Sequence, residues 1–406
     1  MSTVLYAWEL GADYGHVSSF LPVAQQLRAQ GHRVVLAVKD LSRIQGLAGA
    51  RDFEIVQAPV WLYEVKGLAE PMVCYTDMLH RFGYLNSTGL LGIAKAWRAL
   101  FALIRPSLLI ADHAPTALLA ARTMATPVML FSNGFTAPPR RSPLPNMRPW
   151  TPVPEQTLGQ LDRAALSSIN AVLARHDCAQ MQHLAELFDV TEEALVTFPE
   201  LDHYPDRGPA RYWGSLPSAG AGRPVAWPAG GNKRIFAYLR AESPHHEAVL
   251  AALHALGQAA AIYFPNMPPA LTARYSAAHL SYLDQPADIE QMTREADLAI
   301  TYASLATTTA FLLAGKPLLM LPGHLEQFLV ARRVEEMGAG RLVNPEQPAD
   351  DLRGMIADLI DNPAWRTNAA AFAAKYAAFD QQAVTGNLVR RIDEMLDGPS
   401  SIKGMP

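Results

Sequence analysis

Near-continuous apolar segments constrain this fold most, the clearest being Arg33-Val34-Val35-Leu36-Ala37-Val38. A strand with one face in water alternates apolar and polar residues. A run this apolar requires burial on both faces, as for an inner strand of a parallel sheet. Comparable segments lie at 4–8, 108–111 and 127–131, and helical spacing fills 18–30 (closed by Gly31) and 115–124 between them. Such alternation predicts a doubly wound α/β sheet. The pattern then restarts, with strands at 234–239, 260–264, 296–302 and 318–321 and helices at 245–256 and from Thr307 onward. Segments 121–131 and 313–321 both run helix, turn, Pro, apolar strand, which supports two topologically alike domains.

A chain of 406 residues exceeds one ordinary core, and with half of them hydrophobic it can fill two. The Pro/Gly-rich stretch 204–232 shows no convincing element, so boundaries are expected at 1–210, a linker 211–232, 233–380, and a terminal helical segment 381–406. Helical spacing covers 374–396. The stretch 137–154, with recurring prolines and Arg140, Arg141 and Arg148, has no periodicity, and long irregular segments inside compact domains tend to be functional or mobile.

Several function classes lose support. A net charge of -4 argues against nucleic acid as a partner. Cys74 and Cys178 lie far apart and form no metal-ligand spacing, as expected of reduced thiols. No apolar run approaches the roughly 20 residues of a membrane span, and the N-terminus enters a strand directly, so a soluble, cytoplasmic protein without a transmembrane segment is expected.

Polar motifs cluster where strands hand over to helices, the ligand-binding rim of such sheets. His16 follows the first strand, heading a helix capped by Ser18 or Ser19. A neutral imidazole there can take a proton from a hydroxyl; a structural loop histidine is the alternative. Asp112 ends the strand 108–111 on the same rim. A carboxylate on the far ring nitrogen would orient the imidazole and stabilise its charged form, although Asp112 also precedes Pro115-Thr116 and suits a helix cap. No G-x-S-x-G elbow supports acyl transfer, and no D-x-D or His/Cys cluster suggests a metal.

In the second half, Tyr302-Ala303-Ser304-Leu305-Ala306-Thr307-Thr308 combines a strand end, small residues and the hydroxyls of Ser304, Thr307 and Thr308 near a helix start. That combination suits a diphosphate or ordinary capping. Glu326-Gln327, just beyond the last strand and Pro322, can form a fork to sugar hydroxyls or lie solvated in a loop.

Together these motifs resemble the family 1, UDP-glycosyltransferase-like enzymes, especially the bacterial branch acting on antibiotics, macrolides and other natural products. The resemblance rests on Gly15-His16-Val17 through Gly31-His32-Arg33-Val34, on 107–131, and on 296–340 with Ala314-Gly315-Lys316-Pro317, Glu326-Gln327 and Ala331-Arg332-Arg333-Val334-Glu335-Glu336-Met337-Gly338-Ala339-Gly340. It implies the GT-B fold, two Rossmann-like domains facing across a cleft, with the last helix returning to the first domain. It also implies His16 and Asp112 as catalytic dyad, Glu326 and Gln327 on the donor sugar, and inverting, metal-independent transfer from a UDP- or dTDP-sugar without a cofactor. Tyr302 stands where the family has a histidine, Ala303, Ser304 and Ala306 where it has glycines, and Ala310 where many members hold the ribose with glutamate. The last change leaves dTDP open, and Arg240 is the candidate to supply the missing cation.

The small-molecule acceptor, aromatic or polyketide-like, is expected on the first domain. The segment 60–84 carries Trp61, Tyr63, Met72, Tyr75, Met78, Phe82 and Tyr84, composition that suits an adaptable pocket or a helix core. Ser132, Asn133 and Phe135 are further lining candidates. A sugar-nucleotide epimerase and a non-catalytic binding protein on the same scaffold are the competing readings, and a homodimer is left open.

Overall fold

The structure is a computed structural model describing residues 1–11, 15–44, 46–47, 49–216, 222–347 and 351–398. Part of the expected linker (217–221) and the end of the terminal segment (399–406) lie outside the described residues. The chain divides into two units. One comprises Met1–Phe198, Tyr204–Ala219 and Gln381–Pro406; the other comprises Pro199–His203 and Gly220–Asp380.

The first unit holds β1 (Thr3–Trp8), β2 (Arg33–Val38), β3 (Glu54–Gln57), β4 (Leu108–Asp112), β5 (Val128–Ser132) and β6 (Glu192–Leu195). They form one parallel sheet in the order β3-β2-β1-β4-β5-β6. The second holds β7 (Arg234–Tyr238), β8 (Ala259–Tyr263), β9 (Leu280–Leu283), β10 (Leu298–Thr301), β11 (Leu318–Met320) and β12 (Gly340–Leu342), ordered β12-β11-β10-β7-β8-β9. Counted from its own first strand, each sheet runs 3-2-1-4-5-6, the doubly wound order. Strand order reverses between β1 and β4, and again between β7 and β10, which places the ligand crevice of each unit.

Apolar runs explain the inner strands. Val4 through Trp8 and Leu108 through Asp112 are all buried, as are Val128 through Ser132. The strands missing from the sequence reading, β3, β6, β9 and β12, are the four sheet edges. Their sequences, EIVQ, EEAL, LSYL and GRL, are short and half polar because one side of each meets no further strand.

Helix ends also differ from expectation. The first helix spans Gly15–Ala29, so His16 sits inside its first turn. Ser18 and Ser19 therefore do not cap it; their hydroxyls donate to the Gly15 and His16 carbonyls at 3.2 and 2.7 Å. The expected helix at 374–396 is two helices, Pro363–Lys375 and Gln381–Leu396. The later one belongs to the first unit. It buries Val384, Leu388 and Ile392, while Asp393 lies 3.0 Å from His32 Nε2 and Arg391 donates to Glu192 at 2.6 Å.

Among the described residues one helix, Ser87–Ile104, is long and apolar enough by length and composition to cross a membrane. In this fold it buries a stripe of Leu90, Ala94, Trp97, Phe101 and Ile104 at helical spacing and is capped by the Asn86 side chain.

Candidate active site

His16 and Asp112 meet at the β1/β4 reversal. Their strands pair with Trp8 opposite Asp112, and the helix after β1 carries His16 back over that rim. His16 Nδ1 lies 2.8 Å from Asp112 Oδ1, with side-chain exposures of 15% and 5%. The carboxylate accepts from Nδ1–H, which puts the remaining lone pair of the neutral ring on Nε2. The Trp8 ring stacks on His16 at 5.6 Å, restricting the imidazole on one side.

Four participants escaped the sequence reading. Tyr6, fully buried and stacked on Phe20 at 4.6 Å, donates from its hydroxyl to Asp112 Oδ2 at 2.8 Å. Burial and the adjacent carboxylate push its phenol well above the usual range, so it remains a donor. Gly11 has φ +94°, and a Cβ there would sit 2.6 Å from His16 Nε2. His113 follows Asp112 with φ 47°, its ring between His16 (5.8 Å) and Tyr75 (6.0 Å). Its carbonyl accepts from Leu10 N at 2.9 Å, closing the loop after β1. Glu9 is buried and accepts from Thr116 N at 2.8 Å, capping the helix Pro115–Arg122. This is the capping role weighed for Asp112. Burial pushes the Glu9 carboxyl up to about 7. An acid in an otherwise apolar segment and a glycine beside the rim were the available signals.

The expected acceptor residues separate. Tyr75 and Met78 are buried at the start of the helix Tyr75–Arg81, with Tyr75 edge-on to Phe188 at 5.4 Å. Ser132 and Phe135 are buried in the turn after β5: Gly134 N donates to Ser132 Oγ at 3.0 Å and Phe135 N to Asn133 Oδ1 at 3.1 Å. Trp61 instead lies across Gly83 and Gly89, where added Cβ atoms would meet its ring at 2.3 and 2.5 Å. It lines a cavity of 790 Å³ with Leu62, Tyr63, Leu68 and Phe82.

In the second unit the β7/β10 reversal gathers Arg240, Tyr238 and Tyr302. Tyr302 stands edge-on to Tyr238 at 4.8 Å, and the Arg240 guanidinium lies 5.2 Å from the Tyr302 ring centre and 3.4 Å from Glu242. The next helix, Leu305–Leu313, starts two residues earlier than expected. Ser304 is therefore its N-cap, Thr307 lies in the first turn, and Thr308 is fully buried in the second, facing the core rather than the helix mouth. Ala303 takes the left-handed conformation at φ 61° and donates from its N–H to Thr301 Oγ1 at 3.2 Å. Glu326 and Gln327 open the helix Leu325–Glu336 rather than lying in a loop, and Gln327 Oε1 accepts from Gly323 N at 2.8 Å. Among the described residues no group of three or more His, Cys, Asp or Glu could hold a metal ion.

No family model matches the chain. Solved structures resemble it along nearly its whole length. Glycosyltransferase VinC in complex with dTDP aligns with a TM-score of 0.67 at 18% identity, covering 97% of this chain and 100% of that one. The fold is GT-B. Spinosyn rhamnosyltransferase SpnG aligns at 0.65 and 18% identity, covering 97% and 100%. A Streptomyces sp. SF2575 glycosyltransferase, SsfS6, complexed with thymidine diphosphate aligns at 0.61 and 16% identity, again covering 97% and 100%. Among curated proteins, the NDP-glycosyltransferase YjiC of Bacillus licheniformis is 36% identical over 74 residues, 18% of this chain and 19% of the relative. The two sheets with 3-2-1-4-5-6 order are the two Rossmann-like domains of GT-B, and the His16–Asp112 pair occupies the rim of the first.

Proposed function

We propose that this protein is a glycosyltransferase that moves a hexose or deoxyhexose from a UDP- or dTDP-sugar to a small natural-product acceptor. The observation that carries this reading is the His16–Asp112 pair at the rim of the first sheet, with Nδ1 2.8 Å from the carboxylate and the close approach of His16 Nε2 permitted by the absence of a side chain on Gly11. His16 Nε2 takes the acceptor's proton as the acceptor atom bonds to the anomeric carbon. The bond from that carbon to the diphosphate oxygen breaks, its electron pair leaves with the nucleotide diphosphate, and the configuration inverts. Asp112 balances the charge gained by His16. On the donor side, Arg240, the Ser304 end of the helix Leu305–Leu313 and the Thr307 hydroxyl face the diphosphate, Tyr302 offers a phenol, and Glu326 with the Gln327 amide takes the sugar. Protein groups, not a metal, then neutralise the leaving group. The Trp61 cavity, lined by Trp61, Tyr63, Leu68 and Phe82 together with the charged Glu64, Lys66, Glu70 and Arg81, is the acceptor's berth.

The dTDP-containing relatives and Ala310 in place of an acid favour dTDP over UDP. The test combines thermal shift with turnover. dTDP, UDP and their glucose conjugates are screened for stabilisation, and transfer is assayed on an acceptor panel with wild type and His16→Ala. A nucleotide-selective shift plus transfer that falls by about 10²–10⁴ in His16→Ala supports the reading. A shift without transfer points to a binding protein, altered donor sugar without acceptor to an epimerase, and neither shift nor transfer sinks the proposal.

A further inference from the structure

Large apolar side chains left exposed gather around one helix, Ser87–Ile104. Leu85 just before it and Leu103 near its end are 44% and 80% exposed. Leu62 and Tyr63, 81% and 76% exposed, join them at the helix start. They follow Trp61, whose ring lies against Gly83 and Gly89, and Tyr63 stands edge-on to that ring at 6.2 Å. The apolar groups thus mark both ends of a line about 24 Å long, at 1.5 Å of helix per residue.

Between those ends the outward side of the helix carries Gly92, Ala96, Ala99 and Ala102, all exposed, with Lys95 among them. The helix is apolar enough to cross a membrane, yet only 28% of it is buried. A core helix of this composition would be covered all round. Single exposed apolar side chains are ordinary, whereas a contiguous set marks an interaction surface.

Charge decides what covers this face. No Asp or Glu occurs between Asp77 and Asp112, a stretch holding Arg81, Lys95, Arg98 and Arg105, although the whole chain carries a net charge of -4. Burial, and then the charges of Arg98 and Lys95, hold His176 below the usual histidine range. Those two cations therefore stand beside the end of the helix Glu155–Ala174, where Arg175 follows and Asp177 is the acid. Arg98 is spent on Thr123, while Lys95, Arg105 and Arg175 are exposed. In the loop that carries Tyr63, Glu64 and Lys66 offset each other. The balance around the face is positive.

Leucines among exposed cations suit the interface of an anionic bilayer. The leucines enter the acyl boundary, the phenol sits at headgroup level, and Lys and Arg meet phosphates. A second copy seated face to face would bring its own Lys95 and Arg98 to the same patch with no matching acid.

We infer that the outward face of the helix Ser87–Ile104, with Leu62 and Tyr63 at one end and Leu103 at the other, docks this protein onto the surface of an anionic lipid bilayer. The attachment is peripheral, because Leu90, Ala94, Trp97, Phe101 and Ile104 keep the opposite side of the helix in the core. It does not depend on the transferase reading.

The experiment sediments the full chain with vesicles of phosphatidylcholine alone, or of equal parts phosphatidylcholine and phosphatidylglycerol, at low and high salt. The mixed vesicles should bind the protein at least about tenfold more tightly than the neutral ones, and salt should weaken that binding. Lys95→Gln should weaken it about fivefold, the value of one cation at such a surface. Leu103→Ser should weaken it about tenfold through lost apolar burial. Both positions are exposed, so Tm should stay at the wild-type value, and Lys95→Gln decides the matter should Leu103→Ser fail to fold. Arg274→Gln removes an exposed cation from the other unit and should bind as wild type. No binding to the mixed vesicles, equal binding to both kinds, or unchanged binding in Lys95→Gln and Leu103→Ser overturns the inference. An equal loss in Arg274→Gln overturns it as well, as does lipid-free self-association that Leu103→Ser abolishes. Sugar transfer plays no part in the readout, so this inference and the transferase reading fail separately.

Discussion

The Tyr6 hydroxyl donates to Asp112 Oδ2 at 2.8 Å, on the carboxyl oxygen opposite the one that holds His16. In Tyr6→Phe Oδ2 loses its buried donor, so stability to urea should fall by about 1–3 kcal/mol, and kcat should fall with it because the carboxylate that orients His16 is less firmly held. Wild-type stability and kcat in the variant would contradict this account.

Gly11 should tolerate no side chain. Gly11→Ala introduces a Cβ 2.6 Å from His16 Nε2 at a backbone φ of +94°. The left-handed conformation costs an L-residue about 1–2 kcal/mol, and displacing the base by around an ångström costs on the order of a hundredfold in rate. Urea unfolding and kcat together test this; wild-type kcat in the variant would show that the space over Gly11 is not where the acceptor reacts.

Glu9 makes stability depend on pH. Burial raises its pKa from an ordinary 4.5 to about 7 in the folded protein, so the native state binds the proton more tightly than the unfolded chain. The contribution is full below pH 4.5, declines as pH rises through 7, and is absent above it. Glu9→Gln keeps an oxygen for Thr116 N and removes the titration. The variant should gain on the order of 3 kcal/mol relative to wild type between pH 4.5 and pH 8. Parallel stability–pH curves for the two proteins would refute the assignment.

Arg240 is predicted to act on the donor, not on the fold. Its side chain is 30% exposed and its partner Glu242 67% exposed, a pair of the kind that contributes about 0–1 kcal/mol. Arg240→Ala should leave Tm nearly unchanged while raising donor KM by about tenfold or more, the value of a charge-assisted hydrogen bond. Donor KM equal to wild type would remove Arg240 from the site.

Much of this was legible in the chain. The eight inner strands announce themselves because a strand covered on both faces has to be apolar throughout. The edge strands do not, since Glu54–Gln57 and Glu192–Leu195 read like loop sequence until a neighbour pairs with them. His16 and Asp112 could be placed on one rim because each follows an inner strand. Tyr75 and Met78 illustrate the converse: aromatic and sulfur side chains suit a pocket and a core equally well, and packing against Phe188 settled Tyr75 into the core.

What the sequence determined by itself is therefore the doubly wound alternation, repeated twice, and the rim positions of the polar motifs; both follow from local periodicity. Only the tertiary structure decided the partners within the site. Tyr6 reaches Asp112 because β1 and β4 pair with Trp8 opposite Asp112, a register between strands more than a hundred residues apart. His113 faces His16 because its backbone turns left-handed at the end of β4. Gln327 reaches Gly323 because the first turn of the helix Leu325–Glu336 brings its side-chain amide back over the N–H of the residue before the N-cap His324. Each of these depends on where two separate stretches of chain come to rest against each other, and that is set by packing and strand register rather than by the spacing of residues along either stretch.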